Sequence, residues 1–146
     1  MSKLIQPNRD DHPEAAGKHL EDATVLMVAR RYDGAAYLAG YVAECTIKSL
    51  ILLEHGQQAW GHRLNKLSQQ AQRLAALPGS RSAKYSAILA RSSNPNGIMN
   101  PSTGWYPDLR YRPSNMIPQQ QASDWLTEAQ EIYAQSIIPM RLDGVI

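Results

Sequence analysis

DGAAYLAGYVAECTIKSLILL, residues 33–53, decides the fold. Alanine, leucine and isoleucine dominate it, proline is absent, and apolar residues recur three and four apart, which is the period of an α-helix. The helix is apolar nearly all round, so it belongs either at the centre of a bundle or in a membrane. Glu44 and Lys48 stand near its middle. Ionisable groups at mid-span are costly in lipid, and the bundle reading wins.

Working outward, the first helix starts near His12-Pro13-Glu14, with Pro13 at an early helical position and an acid in the first turn. It runs through HLEDATVLMVARRY, with Leu20, Ala23, Val25, Leu26, Met27 and Ala29 as its buried side. Asp33-Gly34 breaks it, and Asp33 is placed to cap the central helix. A break this short makes the two helices antiparallel neighbours. The central helix ends at His55-Gly56, where glycine is a C-terminal stop. After the loop QQAWG, HRLNKLSQQAQRLAAL carries Leu64, Leu67, Ala71, Leu74 and Leu77 as one apolar stripe. Pro78-Gly79 ends this third helix, and a fourth runs from about Ser80 to Arg91. Residues 92–118 hold five prolines and two glycines and read as a long loop. Trp105, Tyr106, Leu109 and Tyr111 within it point to an ordered loop packed on the bundle. The last helix shows Ala122, Trp125, Leu126, Ala129, Ile132 and Tyr133 on one face and is closed by Pro139. The expectation is an all-α, up-and-down bundle of about five helices with a long ordered loop before the last. It forms a single domain over residues 1–146, with residues 1–11 a mobile lead-in.

At 146 residues, 43% hydrophobic and 19% charged, the chain can bury a real core and is not of the disordered class. A net charge of +2 is too small to argue for nucleic acid by itself. The lone Cys45 excludes an intramolecular disulfide and a cysteine metal site, and fits a reducing compartment. The first residues hold no apolar stretch of signal-peptide length, so cytoplasmic residence is expected. No Gly-rich phosphate loop, zinc-protease motif or serine elbow occurs. The histidines at 12, 19, 55 and 62 lack compelling ligand spacing, so no metal or cofactor is called for.

Three groups of residues carry candidate chemistry. Tyr37, Tyr41, Glu44 and Lys48, spaced by four, three and four, share one face of the central helix. They read either as a buried ion pair with tyrosines at its edge or as one wall of a polar pocket. The loop segment Trp105-Tyr106-Pro107-Asp108-Leu109-Arg110-Tyr111-Arg112-Pro113 interleaves guanidinium forks with flat rings, as phosphate and base recognition require. Alternatively, Trp105 and Tyr111 plug the bundle while Arg110 reaches an internal acid such as Glu44. The third group is the turn Arg30-Arg31-Tyr32-Asp33, which with Lys48, His62, Arg63 and Lys66 forms a basic surface unless these charges are simply solvated.

RRYDGAAYLAGYVAECTIKSLILLEHG, then Gly61-His62-Arg63-Leu64, DLRYRP and a final helix with Trp125-Leu126, resembles the HEPN family (higher eukaryotes and prokaryotes nucleotide-binding domain). The likeness is strongest over residues 18–56 and returns over 105–133. The resemblance implies a helical bundle, usually a homodimer, that binds a nucleotide, RNA or a partner nucleotidyltransferase in a toxin–antitoxin pair, with no membrane partner. Many members are ribonucleases using an arginine, four to six intervening residues and a histidine. Here Arg110 stands as the arginine, and the histidine positions hold Asn115, Met116 and Ile117. Asparagine has no proton to exchange near neutral pH and the other two are apolar. The resulting expectation is a non-catalytic binding module using Arg110 and Arg112 for phosphate, Tyr111 for stacking, and Glu44, Lys48, Tyr37 and Tyr41 to shape the site. The alternative is an unconventional endoribonuclease in which Arg110, Arg112, Lys48 and His62 replace the missing pair.

Overall fold

The computed structural model describes residues 1–91 and 94–146. Within them the chain forms α1 (His12–Val28), α2 (Tyr32–His55), α3 (Leu64–Ala75), α4 (Ala83–Arg91) and α5 (Gln119–Leu142), with a 3-10 turn over Pro107–Tyr111 and no strand. The architecture is the expected all-α bundle.

Helix α2 is its axis, packed against α1, α3, α5 and the 3-10 turn, while α4 closes the far side on α3 and α5. Of the most apolar 18 residues of α2, 83% are buried inside the fold. Its length and composition would suit a membrane, but the bundle uses that apolar surface. Gly56 ends the helix in the left-handed region at φ 69°, its N–H donating to the Leu52 carbonyl at 2.9 Å. That is the glycine stop read from sequence.

Several local readings need correction. Helix α1 buries His12, Pro13, Ala16 and Ala23, while Val25 and Ala29 face solvent. The chain breaks at Ala29–Arg31, with Arg30 at φ 59°, and α2 begins at Tyr32, ahead of Gly34. Asp33 lies inside α2 and does not cap it; its carboxylate is used elsewhere. In α3, Leu64, Leu67 and Ala71 are buried, Leu74 is half-buried and Leu77 is exposed beyond the helix end. Pro139 does not close α5, which continues to Leu142. Fully buried Ile137 and Met140 flank it, so packing offsets the hydrogen bond that proline cannot donate. The lead-in is tied down: Ser2 donates through both its N–H and hydroxyl to the Asp11 carboxylate, each at 2.7 Å.

Candidate functional site

The loop expected over residues 92–118 is described from Asn94 onward; Ser92 and Ser93 lie outside the described residues. Two anchors seat it on the bundle. Trp105 is the plug, 4% exposed, with its indole N–H donating to the Tyr37 carbonyl at 2.9 Å. Its ring lies flat on Gly40, where a Cβ would stand 1.9 Å from Cε2, so the absence of a side chain there makes the seat. The second anchor is Asp33, whose carboxylate accepts the N–H groups of Asn115, Met116 and Ile117 at 2.5, 3.0 and 2.8 Å. Asp33 thus holds the loop by its backbone at three successive residues, Asn115, Met116 and Ile117.

Around Trp105, Tyr41 packs edge to face with Trp105 and Tyr37 and is tilted at 39° to His19 of α1. Tyr41 lies 5.0 Å from Trp105, 5.2 Å from Tyr37 and 5.5 Å from His19, between ring centroids. Burial, then the Tyr37 hydroxyl, push the Tyr41 phenol well above its ordinary range, so it stays protonated. Cys45 is likewise pushed up by burial, to about 12, and is an inert core thiol.

One turn further along α2, Lys48 donates to Glu44 at 2.8 Å, with side chains only 8% and 4% exposed. The remaining capacity of Glu44 goes to His62, whose Nδ1 lies 3.0 and 3.1 Å from its two oxygens. Glu44 thus meets a histidine from the α2–α3 connection. Arg110 does not reach it.

His12 is buried beside this cluster, and neither its Nε2 nor Nδ1 of His19 has a hydrogen-bond partner among the described residues. Burial lowers both pKa values, for His12 with help from the Lys48 cation and against Asp10, Glu44 and Asp11. The unfolded chain therefore takes up protons before the folded one. Stability from these histidines is complete above the ordinary value of 6.5 and is lost as pH falls below it. The melting temperature is expected to drop between about pH 7 and pH 5, less steeply in His12→Gln. Parallel slopes in the two proteins would show that His12 is not charged on unfolding.

Arg110 and Tyr111 stand outside the bundle. Tyr111 is 77% exposed and is no plug; the Arg110 guanidinium lies 4.8 Å from its ring centroid. Hydrogen bonding to the Tyr111 and Tyr37 hydroxyls holds Arg110 above its ordinary pKa. The result is a cation lying over an exposed ring on a tethered loop. Arg112 turns the other way, ion-paired with Asp108 at 3.0 Å across an exposed surface.

Arg112 lines a cleft of about 390 Å³ between the loop, the start of α3 and α5, together with Arg63, Tyr106, Asp108 and Trp125. Beside it lies a cleft of about 310 Å³ lined by Trp60, His62, Arg63, Lys66 and Tyr106. The candidate residues therefore fall into three places. Tyr37, Tyr41, Arg110 and Tyr111 gather at the loop. Glu44 and Lys48 form a buried pair capped by the half-exposed His62, and Arg112 faces a cleft. Lys48 is no part of a basic surface, whereas His62, Arg63 and Lys66 do come together. The sequence reading gave no functional role to Trp60 or His12, and it placed Tyr106 only among the aromatics of the loop. Gly61-His62-Arg63-Leu64 was a local signal, but its juxtaposition with Tyr106 comes from the fold.

The described residues thus form a helical bundle that seats an aromatic, arginine-bearing loop on its central helix. The family model of the HEPN domain matches residues 10–136, and the chain belongs to that family. No curated protein and no solved structure matches it.

Proposed function

We propose that this protein is a non-catalytic HEPN module that binds RNA or a nucleotide through its loop, as a homodimer in the cytoplasm. The observation that carries the reading is the Arg110–Tyr111 pair. A guanidinium with no carboxylate partner among the described residues is held against an exposed ring, on a loop tethered by Asp33 and Trp105. That offers a cation to phosphate and a flat face to a base, at little ordering cost. The positions to which the resemblance would assign a general acid or base carry apolar or amide side chains, and their backbone N–H groups donate to Asp33. Exposed Val25 and Val28 on α1 suit a protein contact, with a second copy or with a nucleotidyltransferase of a toxin–antitoxin pair.

Arg110→Ala should weaken binding of labelled single-stranded RNA by about 10-fold or more, the worth of a charge-assisted contact, with the melting temperature unchanged. Unchanged binding with a lowered melting temperature would make the arginine structural.

One observation favours a second reading, an unconventional endoribonuclease. The Glu44 carboxylate orients the half-exposed His62, as a carboxylate orients a histidine base, with Arg63 next to it. Cleavage of RNA by the wild type that disappears in His62→Ala would establish this reading and overturn the non-catalytic one.

A further inference from the structure

We infer that Trp60, Arg63, Lys66 and Tyr106 form a second nucleotide position, and that with the neighbouring cleft at Arg112 they make a track for a single-stranded polynucleotide. The inference rests on the nucleic-acid reading above and adds to it a place and a minimum length.

Trp60 is 84% exposed, whereas Trp105 and Trp125 are 4% and 2% exposed. A tryptophan in water forgoes the burial that makes the residue valuable, and such a side chain in a cleft wall is a ready stacking surface. The same cleft holds the cations Arg63 and Lys66, neither in an ion pair among the described residues, and no carboxylate among its lining residues. The nearby Glu44 is only 4% exposed and already engaged by Lys48 and His62, so it does not cancel this charge. Cations flanking an unstacked ring are what a phosphate-linked base requires, and they recognise it without regard to sequence.

The two clefts share Arg63 and Tyr106, with the guanidinium 5.7 Å from the ring centroid. At about 310 and 390 Å³ each lies near the lower end of the range for small-ligand pockets, about 300–1,000 Å³. Each therefore suits one nucleotide-sized group. Joined across the Arg63–Tyr106 ridge they suit consecutive nucleotides, with Arg63 at the linking phosphate. A duplex keeps its bases stacked on each other and offers Trp60 none.

Because Trp105 and Trp125, which line the neighbouring cleft, are buried, the iodide-accessible emission belongs to Trp60. Oligoadenylates of one to eight nucleotides would be titrated while intrinsic fluorescence and the anisotropy of a 5′-labelled strand are followed. The expected result is saturable quenching with loss of the iodide-accessible emission, and affinity rising at least about 10-fold from the mononucleotide to the tetramer. Trp60→Ala should weaken tetramer binding by about 5- to 150-fold, the range for loss of one stacked base, and Arg63→Ala should weaken the tetramer more than the mononucleotide. An oligomer that binds by anisotropy but leaves Trp60 emission unmoved would overturn the track. Equal affinity for mononucleotide and tetramer, or for single strand and duplex, would do the same. If binding then depends on Arg110 alone, the proposed function stands without the track. No binding by either readout overturns both.

Discussion

Lys48→Ala is expected to lower the melting temperature by about 6–20 °C. Removing one partner of a buried ion pair costs about 3–5 kcal/mol, and each kcal/mol moves a domain of this size by about 2–4 °C. The reason is not that the pair is strong. The alanine removes the cation and leaves the Glu44 carboxylate, 4% exposed, with only the half-exposed His62 beside it. The loss therefore measures the penalty for an unpaired charge rather than the worth of the bond. A double variant, Glu44→Leu with Lys48→Met, should recover most of the stability, since apolar replacement of both members of a buried pair is often neutral or stabilising. Differential scanning calorimetry of the three proteins decides it. An unchanged melting temperature in Lys48→Ala would mean that Glu44 is hydrated, and the cluster would lose its structural role.

Gly40→Ala is expected to cost about 3 kcal/mol, the upper end of the penalty for overpacking, although the added group is one methyl. In a free helix the same change is favourable by about 1 kcal/mol, so the local and tertiary effects have opposite signs. The new Cβ would meet Trp105 at 1.9–2.0 Å, and the ring is fixed by its hydrogen bond to the Tyr37 carbonyl and by the edge of Tyr41. The indole has to leave its seat, and residues 98–112 lose an anchor with it. Faster amide exchange across that segment, with helices α1 and α2 still protected, is the signature to look for. Normal loop protection in a stable variant would show that Trp105 can move aside.

Both predictions turn on α2, where the sequence was most legible. Its helical period, its central place in a bundle, the Glu44–Lys48 pair and the Gly56 stop all follow from residue type and spacing along one element, because the i, i+4 geometry of a helix is local. The match over residues 10–136 agrees with the pattern that resembled the HEPN family. Local reading failed where a residue's partner is remote in sequence. Asp33 looked like a helix cap because an acid at a helix start commonly is one, yet its carboxylate holds amides 82 to 84 residues away. Pro139 looked like a stop because proline lacks an N–H, but the buried side chains around it carry the helix on.

The loop divides in the same way. Its composition marked it as a place for phosphate and base contacts, and composition is a property of the sequence alone. Which of its aromatics would be core and which surface was undetermined, because Trp105 and Tyr111 are equally able to fill a bundle. Gly40 settles that by leaving room for one indole, so Tyr111 stays outside with Arg110. The sequence by itself determined the helices, the family and the ion pair, since each is written in short-range periodicity or in a run of residues. Only the tertiary structure decided that Glu44 meets His62, that Asp33 tethers the loop, and that Trp60, Arg63 and Lys66 share a cleft with Tyr106. Those juxtapositions bring together residues up to 84 positions apart, and no spacing along the chain encodes them.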